Sequence, residues 1–520
     1  MVNLWEQLKE LSASSTSLIT SIIFLTLLLL LTTTLIVTSS IPKGGGAISP
    51  PGPWRLPVIG NLHQLFNNSS LPHRHLGDLA RKHGPDVMRL QLGEVPHIVV
   101  SSSEAAREVM KTHDVVFASR PFLLAADMMA YAGSDLVFTP YGEAYKHLRK
   151  ICVAEVLGAA RVRYFRPIRE DAVADLIRRM AAHGEATVDL SKELFRLTCR
   201  VACGTVLGKA EEMDNGFIMK MVGTTVDVLA GFRLSDLFPS LKFLPVVSGY
   251  KAKLRKLHVE MEAMLDGIID DHKQKRATRA AAAGGGEYRE DLVDVLLNLQ
   301  ESGDPHFKLT MDNIKGVTLE VFLAGVETSA TTMDWTMAEM IKDGRVLRKA
   351  QEEVRQVYRG NQNVDESNLH ELKYLDLVIK ESLRLHPALP LLFPRESREK
   401  VEICGYEIPA KTKVIVNAWA IGRDPRYWAE SERFLDCSIN YRGSDFEFIP
   451  FGAGRKMCPR LLYATAIVKL TLANLLYHFD WKVPDGIKPE NLDMTEVFTL
   501  VVGRKSSLCL IPVAYDTVIS

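Results

Sequence analysis

A long uncharged segment near the N-terminus constrains the fold of this chain more than any other feature. Residues 17–39 read SLITSIIFLTLLLLLTTTLIVTS, which is long enough to cross a lipid bilayer as one helix. A cleaved signal peptide would have a shorter apolar run, a basic region before it and a small-residue cleavage site. The pattern therefore favours a retained, single transmembrane helix, preceded by a short N-terminal segment, residues 1–16.

Residues 40–57 follow the apolar segment and form a glycine- and proline-rich hinge. Three consecutive glycines, residues 44–46, give a flexible joint. Four prolines then stiffen the chain and stop any helix; they are Pro50, Pro51, Pro53 and Pro57.

The remainder of the chain, residues 58–520, reads mostly as amphipathic helices. The β-branched runs 98–100 and 414–416 are bounded by turn residues and predict two short strands. We therefore expect this part of the chain to be mainly α with small β-sheets (α+β).

Charge and cysteine content exclude some classes of function. The 63 Lys and Arg residues balance 63 Asp and Glu residues, whereas a nucleic-acid-binding domain needs a clustered basic surplus. We therefore expect no nucleic-acid partner. The seven cysteines show no metal-type spacing, and Cys199 and Cys203 lie in an apolar run that favours two buried, reduced thiols. This usage is typical of a reducing compartment, so we expect the domain to face the cytosol.

Cys458 ends a glycine-containing turn, residues 451–458, with the sequence FGAGRKMC. Arg455 and Lys456 precede it by three and two residues. One thiolate beside cations suits a haem iron better than a disulfide, because a cysteine sulfur donates electrons strongly and favours cleavage of the O–O bond of bound dioxygen. We expect the glycines to let the backbone approach the macrocycle and the cations to face its carboxylates.

This turn resembles the cysteine-ligand loop of the cytochrome P-450 haem-thiolate monooxygenases, usually written FxxGxRxCxG. The resemblance implies the cytochrome P-450 fold, with haem b (iron protoporphyrin IX) ligated by Cys458 in a loop that includes Phe451 and Gly454. Two positions depart from the pattern: Lys456 replaces the usual arginine, and Arg460 replaces the usual glycine. We expect Arg460 to lower haem occupancy or stability, and a glycine at this position to restore it.

Residues 319–335, LEVFLAGVETSATTMDW, resemble the central helix of the family, in which the motif [AG]Gx[DE]T lies over the haem. A hydroxyl backed by a carboxylate can deliver protons to dioxygen while bulk water is excluded. On this match Thr328 would hold a water beside dioxygen and Glu327 would relay protons. A Glu–Thr pair alone would usually be a solvated helix face.

Two further groups of residues match structural positions of the family. Glu381 and Arg384 form its ExxR motif, which the resemblance makes a structural lock rather than a catalytic pair. Either Arg433 serves as the third partner, on a connection that is shorter than usual, or the lock is incomplete. The residues that match positions facing the haem carboxylates, besides Lys456, are Arg149, Arg395 and Tyr145.

The resemblance also implies a hydrophobic substrate pocket, because its expected lining is nearly all apolar. That lining comprises Phe122, Leu123, Phe322, Ala324, Leu389, Leu391, Phe498, Thr499 and Leu500. Any one of these could instead be an ordinary core residue.

The sequence of residues 386–428 resembles plant members of this family that hydroxylate terpenoids. This implies oxidation of a sesqui- or diterpenoid with dioxygen and with NADPH electrons supplied through a membrane NADPH-cytochrome reductase, at the endoplasmic reticulum. Oxidation of an alkaloid or a phenolic is an alternative. A second alternative is a catalytically impaired protein that still binds haem. A third is a family member with non-oxygenase chemistry, but the presence of Glu327 and Thr328 argues against it.

Overall fold

The computed structural model describes residues 20–30, 48–65, 71–131, 133–208, 215–229, 231–281, 289–303, 307–361, 364–430, 439–484 and 486–515. Arg433 and the greater part of the predicted transmembrane segment lie outside these ranges. Within them most of the chain is helical, and the strands form small sheets.

The helices of the described residues are numbered in chain order. They are α1 Thr20–Leu30, α2 Leu62–Leu65, α3 Pro72–His83, α4 Ser103–Arg107, α5 Leu124–Met129, α6 Glu143–Ile151, α7 Ala159–Tyr164, α8 Arg166–Ala182, α9 Leu190–Val206, α10 Asn215–Val228, α11 Leu234–Leu237, α12 Leu244–Val247, α13 Tyr250–Ala281, α14 Leu292–Ser302, α15 Met311–Lys342, α16 Gly344–Val357, α17 Lys373–Leu385, α18 Ala418–Ile421 and α19 Leu461–His478. Helices α4 and α6 each continue into a π-helical turn, Glu108–Thr112 and Cys152–Val156.

The strands are short and come from both ends of the domain. They are β1 Val87–Leu92, β2 Val95–Val100, β3 Val188–Asp189, β4 Arg395–Glu396, β5 Val401–Ile403, β6 Tyr406–Ile408, β7 Lys413–Val416, β8 Phe479–Lys482, β9 Glu496–Val497, β10 Gly503–Arg504 and β11 Cys509–Ala514. Their sheets have the orders β1-β2-β7-β4, β3-β11-β8, β5-β6 and β9-β10.

Both strands predicted from β-branched runs are confirmed, and they are neighbours. β2 and β7 pair in parallel, with Ile98 opposite Val414. Since Val99, Val100, Val414 and Val416 are buried, the pair forms part of the core although the two segments are far apart in the sequence.

The long helix α15 runs through the middle of the domain. A capping box begins it: the Thr310 side chain accepts from the Asn313 backbone N–H, and the Asn313 side chain accepts from the Thr310 N–H. At 1.5 Å per residue its 32 residues span about 48 Å. Because α9, α17 and α19 pack against it, most of its side chains from Ile314 to Ile341 are buried.

Among the described residues, only α19 is both long and apolar enough to cross a membrane, and two thirds of its apolar window is buried. Its hydrophobicity therefore reflects its place in the core beside α15. Helix α1, the described part of the predicted anchor, is a shorter apolar helix with exposed side chains.

Candidate active site

The thiol of Cys458 lies at a cavity of about 190 Å³ between the 451–458 turn and α15, which we call the thiol cavity. The turn closes when the Cys458 backbone N–H donates to the Phe451 carbonyl (3.0 Å). Burial raises the pKa of the Cys458 thiol, while the Arg460 backbone N–H and the charges of Arg460 and Arg149 oppose that rise. A ferric or ferrous ion would instead lower the pKa of the Cys458 thiol, because a thiol that coordinates a metal is deprotonated. The cavity thus presents one thiol suited to an axial iron ligand.

Gly454 does not approach the thiol cavity, contrary to the expectation from the sequence. Its φ is +70°, and a Cβ at this position would lie 2.1 Å from the Met110 carbonyl oxygen and 2.8 Å from the Asp114 carboxylate. Glycine is therefore needed for the close approach of the turn to Met110. Gly452, with φ +69°, lines the cavity together with Phe451.

Cations surround one side of the thiol cavity: Arg120, Arg149, Arg395 and Lys456. Arg149 donates to the Met457 carbonyl (2.9 Å), and Arg395 donates to the Ala453 carbonyl (3.0 Å). Burial lowers the pKa of Arg395, although Asp114 opposes this. The two predicted arginines therefore hold the backbone of the cysteine turn and also face the cavity.

Lys456 and Tyr145 form a second contact between the turn and the rest of the domain. The Lys456 ammonium donates to the Thr139 carbonyl (2.8 Å) and lies 3.8 Å from the centre of the Tyr145 ring. Burial, with the charge of Arg120, lowers the pKa of Lys456 to about 7. The Tyr145 hydroxyl donates to the Arg455 carbonyl (2.5 Å), so Tyr145 supports the turn without being part of the cavity lining.

Three charged residues at this site were not predicted from the sequence: Arg120, Asp135 and Glu320. Arg120 donates to the Phe393 carbonyl (2.8 Å), and burial and the nearby Arg395 lower its pKa to about 9. Burial and the charge of Asp135 raise the pKa of Glu320 to about 8, against two backbone N–H donors from residues 136 and 137. Ionisable residues inside otherwise apolar stretches are the signal that could have identified Arg120 and Glu320.

The arrangement fits haem on these observations alone. A thiol faces a cavity whose wall carries four cations, and a metalloporphyrin brings an iron and two carboxylates. Arg120, Arg149, Arg395 and Lys456 are the residues that would hold the carboxylates, and Cys458 is the one that would ligate the iron.

Thr328 and Glu327 lie on α15. Thr328 lines the thiol cavity and an adjoining cavity of about 120 Å³, the distal cavity, which Glu327 also lines. The Thr328 hydroxyl donates to the Ala324 carbonyl (2.7 Å), one turn earlier. Burial raises the pKa of Glu327, which favours a proton on its carboxyl group.

Glu381 and Arg384 form a bidentate ion pair near the end of α17. The Arg384 Nε and Nη2 atoms donate to the two Glu381 oxygens at 2.8 and 2.5 Å, and both side chains are fully buried. Arg384 also donates to the Gly422 carbonyl (2.7 Å) and lies over the Trp428 ring (4.8 Å). The proposed third partner, Arg433, is outside the described residues.

Seven of the nine residues predicted to line the substrate pocket border cavities. Ala324 and Leu389 line both the thiol cavity and the distal cavity, and the remaining five line a third, outer cavity of about 70 Å³. These five are Leu123, Leu391, Phe498, Thr499 and Leu500.

The structure does not bring Phe122 or Phe322 to these cavities. Phe122 precedes α5 and is 62% exposed. Phe322 is buried in the packing around α15, because two residues along a helix turn the side chain roughly 200° away from Ala324.

Comparisons with known proteins agree with this geometry. The sequence profile described as Cytochrome P450 matches residues 50–510. Premnaspirodiene oxygenase of Hyoscyamus muticus is 46% identical, covering 90% of this chain and 93% of the relative. 5-Epiaristolochene 1,3-dihydroxylase of Nicotiana tabacum is 47% identical, covering 90% and 93%. Desmethyl-deoxy-podophyllotoxin synthase of Sinopodophyllum hexandrum is 48% identical, covering 89% and 91%.

A solved structure shares the fold. Zebra fish cytochrome P450 with abiraterone superposes with a TM-score of 0.72 at 25% identity, covering 86% of this chain and all of that chain. The expected fold class, mainly α with small sheets, is thereby confirmed. With a thiol, a cation cluster and a family match that extends over most of the sequence, the chain belongs to the cytochrome P450 family of haem monooxygenases.

Proposed function

We propose that this enzyme hydroxylates or otherwise oxidises a sesqui- or diterpenoid. The observation that carries the proposal is a largely apolar route beside the thiol cavity: the outer and distal cavities both share Leu389 and Phe393 with it, and the distal cavity reaches Thr328. A pocket of this kind selects a substrate by shape and by the area of apolar surface that it buries. A hydrocarbon skeleton without charged groups suits such a lining.

The relatives support the substrate class. Several of them, including premnaspirodiene oxygenase and salviol synthase, act on terpenoids. The relative named for desmethyl-deoxy-podophyllotoxin is equally similar, so oxidation of a phenolic is the second candidate.

Haem, when bound, supplies the reductive activation of dioxygen. Cys458 would ligate the iron, and the four cations Arg120, Arg149, Arg395 and Lys456 would hold the carboxylates of the macrocycle. The Thr328 hydroxyl, where the thiol and distal cavities adjoin, would hold a water near the reaction centre. Glu327, whose pKa is raised by burial, passes protons towards it from the distal cavity. The apolar lining limits the entry of other water.

The electrons come from NADPH through a membrane-bound reductase. Residues 17–39 anchor the chain in the endoplasmic reticulum membrane as a single pass, with the catalytic domain in the cytosol. This placement brings the domain to the same membrane surface as the reductase and allows an apolar substrate to arrive from the lipid.

Product analysis tests the proposal. Membranes containing the full chain and a plant reductase receive NADPH and separate panels of sesquiterpenes, diterpenes, phenolics and alkaloids. We expect NADPH-dependent gain of one oxygen atom in the terpenoid panels, detected by gas chromatography and mass spectrometry. Products from the phenolic or alkaloid panels alone would contradict the substrate class.

A reduced carbon-monoxide difference spectrum on the same membranes addresses the impaired alternative. A thiolate-type Soret band together with no product in any panel would leave the substrate unidentified. Absence of that band in folded protein would instead indicate a protein unable to hold haem as a monooxygenase requires.

A further inference from the structure

Arg460 crosses from the cysteine turn to the central helix. It is the residue immediately before α19, two positions after Cys458, and it lines the thiol cavity. A Cβ placed on Gly325 would lie 2.5 Å from the Arg460 Nη1 atom and 2.8 Å from its Cζ atom. The guanidinium therefore lies against the backbone of α15, in space that a side chain at position 325 would otherwise take.

The guanidinium is poorly accommodated where it lies. Arg460 is 7% exposed, and its Nη1 atom has no hydrogen-bond partner among the described residues. Its neighbours are largely apolar: the Tyr463 ring lies 4.8 Å away, and a narrow crevice beside it is lined by Val201, Ala202 and Ile467. A buried, charged donor without an acceptor is unfavourable.

The direction of the side chain matters for haem. Cys458 and the α15 residues Gly325 and Thr328 line the same thiol cavity, which a macrocycle ligated by Cys458 would have to enter. The Arg460 side chain lies in this space, between the cysteine turn and Gly325. It also adds a fifth cation to the lining of the cavity, beside Arg120, Arg149, Arg395 and Lys456.

We propose that Arg460 competes with haem for space between the cysteine turn and Gly325 and thereby weakens haem retention. Removing the side chain leaves the thiol and the four carboxylate-facing cations in place, so the variant keeps every residue that would hold haem. The proposal rests on haem binding, which the family establishes, and is independent of the proposed substrate.

Haem retention can be measured without any substrate. Full-length wild type, Arg460→Gly and Arg460→Ala are purified in detergent, and haem is quantified per polypeptide. Loss of haem to excess apomyoglobin is then followed by absorbance. Arg178→Ala, at an exposed arginine of α8, is the matched control.

We expect both Arg460 variants to carry more haem and to lose it roughly fivefold to tenfold more slowly, because haem no longer has to displace a side chain from the space beside Gly325. The control should match wild type. Loss rates of the Arg460 variants within twofold of wild type, or faster loss, would overturn the proposal. Failure of both variants to fold would also overturn it, because the guanidinium would then be required by the structure.

Discussion

Neutralising Glu381 should destabilise the domain strongly, because it leaves a charged guanidinium without its counter-ion in the core. Both partners are fully buried, and the Glu381 carboxylate accepts two hydrogen bonds from Arg384. Breaking a buried pair from one side costs about 3–5 kcal/mol. In Glu381→Gln the amide oxygen can still accept one hydrogen bond, so we expect the free energy of unfolding to fall by about 3 kcal/mol, the lower end of that range. With an unfolding entropy near 1 kcal/mol/K for a domain of this length, the melting temperature should fall by roughly 3 °C.

The assay is equilibrium unfolding of the haem-loaded protein in denaturant, followed by circular dichroism, with thermal melting as a second measurement. Asp78→Asn is the matched control, since Asp78 and Arg81 form an ion pair at the same i, i+3 spacing on an exposed helix surface. We expect no measurable change there.

A double variant separates lost charge pairing from lost packing. Glu381→Gln combined with Arg384→Met removes both charges. The free energy of unfolding of this double variant should be about 1 kcal/mol below that of wild type, because the hydrogen bond to the Gly422 carbonyl is lost. If the double variant is as unstable as Glu381→Gln alone, an unpaired buried charge is not the cause and the reasoning is refuted.

Three further predictions concern the site and its surroundings. Thr328→Val keeps the shape of the side chain but removes its hydroxyl, so product formation should fall about 100-fold. The spectral shift that substrate binding induces should not change, and Thr328→Ser should recover activity. Arg120→Met should release haem about tenfold faster, with Arg120→Lys intermediate, as measured by transfer to apomyoglobin. Burial alone would lower the pKa of His272, but its bond to Asp291 (2.7 Å) and the charge of that carboxylate raise it. The stability lost in His272→Gln should therefore be largest below pH 6.5 and should shrink as the pH rises through the raised pKa of His272. Denaturant unfolding at several pH values measures this loss, and a loss that grows with pH would contradict the prediction.

The features that could be predicted from the sequence are those set by residues close together in the chain. The end of α17 at Leu385 follows from the proline two residues later, and the spacing of Glu381 and Arg384 places them on one helical face. The two β-branched strands were predictable for the same reason. Their pairing with each other was not, because it depends on how the chain returns to β2 more than 300 residues later.

The misassigned residues show the opposite case. Gly454 is glycine because of Met110, a contact between segments that no local pattern connects. Phe322 and Ala324 lie two residues apart, yet only Ala324 reaches a cavity, since the rotation of α15 is set by its packing against α9 and α19. Phe122 is apolar and lies in the expected loop, but its orientation depends on the start of α5. Long-range packing, rather than residue type, decided each outcome.

The charges around the thiol cavity link haem affinity to the stability of the fold. Burial lowers the pKa of Lys456 and of Arg120 and raises the pKa of Asp135 and of Glu320, so desolvation outweighs the attraction between these acids and bases. The cluster is consequently unfavourable as a set of core residues. Carboxylates of a bound macrocycle supply anions at the cations, and a ligand that binds only the folded chain stabilises it. A substitution that weakens haem retention by removing one of these cations therefore also removes a buried charge, and its net effect on stability depends on haem occupancy.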